Sequence, residues 1–164
     1  MDSRVEPSIG GDLVKLLPRL RLFARTLEFS VAAADDLVQM TCLRALERQA
    51  QFQPGSRLIA WVIVIMKNIR KDELKKPIKL VQAEPEEMSE VPDTHSQRST
   101  ESKLELNDVH RAMHKLSIEC REIIGLAAAE ESYDDMSQVL GIEKATVGTR
   151  LFRCRKKLRR LLDE

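Results

Sequence analysis

Lys144, Thr146, Thr149, Arg150, Arg153, Lys156 and Lys157 lie on one side of the segment 141–160, "GIEKATVGTRLFRCRKKLRR", which opens on a glycine and continues as an unbroken helical pattern. Between residues 145 and 164 there are seven basic residues, Arg150, Arg153, Arg155, Lys156, Lys157, Arg159 and Arg160, against two acidic ones, Asp163 and Glu164. Such a face can bind nucleic acid: hydroxyls and cations near the helix start suit base edges, and the later cations suit phosphate oxygens. The competing reading is a solvated charged surface. Gly148 bears on both readings. Glycine inside a helix costs about 1 kcal/mol against alanine and leaves a gap where a side chain could make a contact.

Other chemistry has less support. His110 and His114 stand four apart, a spacing that puts both on one helix face, but no nearby carboxylate or cysteine completes a metal site and they read as exposed helix residues. Neither a nucleophile–base pair nor a glycine-rich phosphate loop is present. The expectation is a protein that is not an enzyme and needs no cofactor or metal.

What precedes the basic segment decides how it is presented. Ser132, with Asp135 three residues later, has capping-box spacing and predicts a short helix over 133–140. Gly141 follows its last apolar residue as a stop. A short helix, a glycine turn and a long helix make a helix-turn-helix, which delivers the start of its second helix to the DNA major groove. Val147, Leu151, Cys154, Leu158 and Leu161 form the stripe that faces the core, opposite the cations.

The 164 residues are 43% hydrophobic and 32% charged, with few glycines, prolines or aromatics, a mixture that favours helices. Net charge is only +1, so the basic end implies an acidic middle. Apolar residues at spacings of three and four predict helices over 12–27 and 33–49, with Asp35 and Asp36 where a helix start favours negative charge. Pro18 kinks the first of these or delays its start. After the loop "FQPGSR", a helix over 58–76 runs through "LIAWVIVIM"; the β-branched "VIVI" also suits a strand, but length and continuation favour a buried helix. Residues 77–103 carry three prolines and six acids against three bases and read as a flexible acidic linker. Two more amphipathic helices follow over 104–116 and 119–129. The expected fold is all-α: two small helical domains, 12–76 and 104–164, joined by that linker.

Cys42, Cys120 and Cys154 are widely separated and odd in number, which gives neither a disulfide framework nor a close-spaced metal pair and fits a reducing compartment. The apolar run 61–66, within "LIAWVIVIM", is far too short to span a bilayer, and no signal peptide is evident. A soluble, cytoplasmic chain is expected, with no membrane insertion.

Taken in order, "ADDLVQMTCLRALE", "FQPGSRLIAW", "KNIRKDEL", "LSIECREIIGL" and "ESYDDMSQVLGIEKATVGTRLFRCRKKLRRLL" resemble a bacterial extracytoplasmic-function sigma factor, over nearly the whole chain from residue 12. The spelling of "FQPGSRLIAW" looks most like the subgroup that directs the general stress response in alphaproteobacteria. The resemblance implies the promoter-specificity subunit of RNA polymerase, with core polymerase, promoter DNA and an anti-sigma factor as partners. In that picture the first domain docks on the polymerase clamp and opens the minus-ten element, the second reads the minus-thirty-five duplex, and the linker threads toward the active-centre cleft. Asp35, Asp36, Leu37 and Gln39 match the family's polymerase-binding motif, while Val38 reads as core. Holding an unpaired strand needs cations and somewhere to receive splayed bases. Lys67, Asn68, Arg70 and Lys71 supply the former, and the loop with Ser56 and Arg57 is the candidate for contacting a flipped base. Trp61 sits on the face that the family buries.

The chain departs from the family pattern in three places. Gly148 stands where relatives carry a cation, Ile59 where they commonly have arginine, and "LSIEC" lacks a proline. The first two remove potential nucleic-acid contacts. They keep open a sigma-like mimic that sequesters an anti-sigma factor without reading promoters. An ordinary helix-turn-helix repressor would leave "DDLVQ" and "FQPGS" without a role.

Overall fold

A computed structural model describes residues 8–76 and 100–164, with the backbone alone for 100–105. These residues form seven α-helices: α1 (Gly10–Leu27), α2 (Val31–Glu47), α3 (Leu58–Lys75), α4 (Thr100–Lys115), α5 (Ile118–Ala128), α6 (Tyr133–Leu140) and α7 (Lys144–Leu162), with a 3-10 turn at Gln49–Gln51. The segment "VIVI" is helical, as expected. Most of the acidic stretch read as a linker lies outside the described residues, and α4 begins at Thr100, inside it.

α1 runs through Pro18 without interruption. The proline takes one hydrogen bond from the Val14 carbonyl, but both residues face solvent, where water can replace it. α2 starts earlier than its acidic pair suggests, because Ser30 Oγ accepts the Ala33 N–H at 3.0 Å and caps the helix there. The rest of the chain is punctuated as its residue types require. Ser117 Oγ accepts the Cys120 N–H to start α5, and Ser132 Oγ accepts the Asp135 N–H at 3.1 Å to start α6. Gly141, at φ +65°, ends α6 in the left-handed conformation that favours glycine. The end of α5 is less conventional: Glu130 adopts φ +62°, and the Glu131 N–H bonds back to Leu126 O at 3.1 Å. A non-glycine residue in that conformation costs roughly 1 kcal/mol.

α1, α2 and α3 pack on one another, and α7 packs against α4, α5 and α6. The two groups then join through α1 against α5 and α3 against α6, so that Leu20, Phe23, Leu27, Ile63 and Met66 share one buried core with Ile123, Leu126 and Met136. Gly125 sets the distance at the junction. A Cβ there would meet Thr26 Oγ1 at 2.5 Å and Phe23 Cδ2 at 3.0 Å, so a side chain at this position would force those α1 side chains, or the helices, to shift.

Contrary to the reading of three unconnected cysteines, Cys120 on α5 and Cys154 on α7 are joined by a disulfide, with Cα atoms 5.2 Å apart. Cys42 is free. A sequence separation of 34 obscures the relationship between the bonded pair, whereas packing of α5 on α7 brings them face to face. Among the described residues no helix is long and apolar enough to cross a membrane.

Candidate nucleic-acid interface

The two groups of proposed DNA-contacting cations are in opposite electrostatic states. On α7, Val147, Leu151 and Cys154 are buried, which turns Thr146, Thr149, Arg153, Lys156 and Lys157 outward, with Arg150 at the margin. Among the described residues, Arg150, Arg153, Lys156 and Lys157 form no ion pair. Only Lys144, at the helix start, is paired, with Asp134 of α6 at 3.1 Å.

Gly148 does not face the open side of this surface. A Cβ built on it would contact the ring of Tyr133 on α6. The gap seen in sequence is therefore covered by a neighbouring side chain. Ile59 is likewise buried in the core, so the side chain found at that position takes no part in a surface contact.

On the first group, Arg57 and Lys67 are engaged by the second. Arg57 Nε lies 2.9 Å from Asp135 Oδ2, and its guanidinium also approaches Glu131. Arg19 pairs with Glu131 and donates from Nε to Ala129 O at 2.8 Å. Lys67 Nζ sits 3.3 Å from Glu122 Oε2 and donates to Val139 O at 3.2 Å. Arg70 is held within its own group by Glu28 at 3.5 Å. Ser56, Asn68 and Lys71 are exposed, and Trp61 packs partly buried against Phe52 with ring centroids 5.3 Å apart. The Glu131 side chain is completely buried, and Oε2 has no hydrogen-bond partner among the described residues. Burial raises its carboxyl above the usual range, against the opposing pull of Arg19 and Arg57.

A second junction lies at the other end of α5. Arg121 donates to Leu27 O at 3.3 Å and to His114 Nδ1 at 3.0 Å. An imidazole that accepts at Nδ1 carries its proton on Nε2 when neutral, so His114 Nε2–H donates to His110 Nε2, 3.1 Å away. The His114 ring also stacks on Phe29 at 4.2 Å. These histidines are half-buried rather than exposed as read from sequence, because the end of α1 folds over them. Desolvation, then His110 and Arg121, lowers the His114 pKa to about 4.

Of the proposed polymerase-binding residues, Asp35, Asp36 and Gln39 are exposed on α2, whereas Leu37 is only 2% exposed and belongs to the core beside Val38. Leu37 therefore supports this face from beneath. Exposed Met40 and Leu43 adjoin the face and line a groove with Ile69 of α3. Sequence reading missed these two, and also Arg19, Glu122 and Glu131. The helical period does place Met40 and Leu43 beside Asp36 and Gln39, but nothing in one dimension pairs Arg19 with an acid 112 positions away.

Residues 13–77 match the family profile of Sigma-70 region 2, and residues 106–158 match Sigma-70, region 4. The chain is 36% identical over 156 residues to the ECF RNA polymerase sigma factor EcfG of Rhodopseudomonas palustris (strain TIE-1), covering 94% of this chain and 85% of that one. It is 26% identical over 148 residues to the RNA polymerase sigma factor CarQ of Myxococcus xanthus, covering 90% and 84%. Among solved structures, the sigma factor RpoE in complex with the anti-sigma factor NepR from Bartonella quintana is similar with a TM-score of 0.73 at 31% identity, covering 93% of this chain and 95% of that one. CnrH in complex with the cytosolic domain of CnrY has a TM-score of 0.70 at 26% identity, covering 94% and 87%.

Proposed function

The chain belongs to the extracytoplasmic-function sigma factors of RNA polymerase, and from that premise we propose how its residues divide the work of promoter-specific initiation. It acts without catalysing a reaction, through core polymerase and promoter DNA. Residues 12–76 bind polymerase through Asp35, Asp36 and Gln39 over the Leu37 support, and take the melted minus-ten strand with Ser56, Arg57, Lys67, Asn68, Arg70 and Lys71. Residues 77–103 tether the two parts. Residues 104–164 bind the minus-thirty-five duplex, Lys144, Thr146, Thr149 and Arg150 toward base edges and Arg153, Lys156 and Lys157 toward phosphates.

The observation that carries this reading is the outward basic face of α7, where Arg150, Arg153, Lys156 and Lys157 form no ion pair among the described residues, presented soon after the left-handed turn at Gly141. Because Arg57 and Lys67 face acids of the second group, engagement of a melted strand requires the two groups to separate. An anti-sigma factor controls the protein, a reading supported by the similar RpoE, which is in complex with the anti-sigma factor NepR. Its setting is a cytoplasmic stress response. The mimic reading loses one of its supports, since Gly148 faces Tyr133 rather than open surface.

Transcription with core polymerase on a promoter library tests the assignment. Promoter-dependent initiation is the expected result. Tight anti-sigma binding with no initiation from any promoter would replace it with the mimic.

A further inference from the structure

We propose that Cys120 and Cys154 form a reversible dithiol–disulfide site that cross-links the recognition helix α7 to α5. Two of the three cysteines in the chain meet in the core although they lie 34 positions apart, and each lies on a helix with a separate task. α7 carries the basic face. α5 carries Gly125 and Arg121, through which the second helical group docks on α1. The bond therefore fastens the duplex-facing helix to the helix on which the two groups meet. Disulfides that form in a reducing compartment are characteristically transient and redox-sensing.

The third thiol does not compete. Cys42 lies on α2, outside the α5–α7 contact, and desolvation raises its pKa, which suppresses the reactive thiolate. Both bonded cysteines are buried, so exchange proceeds when α7 lifts transiently from α5.

The oxidant is a low-molecular-weight disulfide such as oxidised glutathione. Deprotonated Cys154 attacks one of its sulfurs, forming a mixed disulfide and releasing one glutathione thiolate. Deprotonated Cys120 then attacks the Cys154 sulfur and releases the second. Two protein thiols are oxidised to one disulfide, one glutathione disulfide is reduced to two thiols, and the two protons pass to the departing thiolates.

The test uses the full chain carrying Cys42→Ser, equilibrated across glutathione redox buffers, quenched with a maleimide and weighed by mass spectrometry. The expected product at the oxidising end has lost two hydrogens, takes up no maleimide and carries no glutathione. Unfolding in urea should then show an unfolded-to-folded ratio lower by on the order of 100-fold than after reduction. That difference should vanish in Cys120→Ala and in Cys154→Ala, which serve as mutual checks should one fold poorly. Two free thiols at every buffer ratio would overturn the proposal, as would a stable glutathione adduct without an internal bond, or identical unfolding of oxidised and reduced protein. None of these readouts involves promoter DNA, so the result stands apart from the promoter reading.

Discussion

The ring of Tyr133 covers the blank left by Gly148: a Cβ on the glycine would sit 3.4 Å from Tyr133 Cε2 and 4.0 Å from the hydroxyl oxygen. Those are ordinary contact distances, so alanine fits without displacing the ring. Gly148→Ala should raise stability by about 0.5–1 kcal/mol through helix propensity and leave duplex affinity unchanged. Urea unfolding and fluorescence anisotropy on a promoter duplex check both halves; a marked loss of binding would mean that the bare backbone at 148 itself meets DNA.

Arg153 is exposed on α7 and has no acidic partner among the described residues. Arg153→Ala should weaken duplex binding and lower the salt slope by about one, with core-polymerase affinity unchanged. Equal loss of both affinities would show that α7 serves polymerase as much as DNA.

Gly125 permits the approach of α5 to α1. In Gly125→Ala the added carbon would lie 2.5 Å from Thr26 Oγ1 and 3.0 Å from Phe23 Cδ2, and the crowding should push α5 from α1, destabilising the closed form by about 1–3 kcal/mol. Small-angle scattering should report a larger radius of gyration. Adding Thr26→Ala removes the nearest obstacle and should recover part of the loss, which a double-mutant cycle measures.

Glu131 is the buried acid between Arg19 and Arg57. Glu131→Gln keeps the shape and removes the charge, while Arg57 stays half exposed and solvated. The expected cost is about 1–3 kcal/mol of stability, with tighter binding of a minus-ten single strand as Arg57 keeps only Asp135 as an acidic partner. Strand affinity that does not change on a variant shown to be folded would mean that Glu131 does not compete with nucleic acid.

For His114 the sign follows from a pKa near 6.5 in the unfolded chain and about 4 in the folded one. Folding favours the neutral ring, so this contribution is complete above pH 6.5 and fades as pH falls toward 4. His110, also lowered, adds in the same sense, with Arg121, Arg25 and Glu28 as the charged neighbours. Glu131, raised by burial, opposes them at the acidic end. Tm should therefore drop between pH 7.5 and pH 5, and His114→Gln should shrink the drop.

Much of this architecture is written locally. Ser132 and Gly141 bound α6 as their types predict, and the stripe from Val147 to Cys154 fixes which side of α7 faces outward. Local signals also have local limits. Ser30 outranked Asp35 and Asp36 as the start of α2 because a cap needs a hydroxyl on one particular N–H, whereas acidic charge acts over a whole turn. The bond between Cys120 and Cys154, the partners of Arg57 and Lys67, and the ring over Gly148 depend on helices meeting across the fold. No periodicity encodes those meetings.

Arg150, Arg153, Lys156 and Lys157 of α7 have no acidic partner among the described residues while Arg57 and Lys67 are occupied, and under the proposed division of roles this contrast gives the encounter with a promoter a chronology. Intact duplex can be met at once, by a helix already exposed. The unwound strand can be gripped only later, after acids that belong to the protein itself have withdrawn. On that assignment upstream recognition precedes strand capture, and a chance stretch of single-stranded DNA elsewhere in the genome finds Arg57 and Lys67 of the closed molecule already occupied.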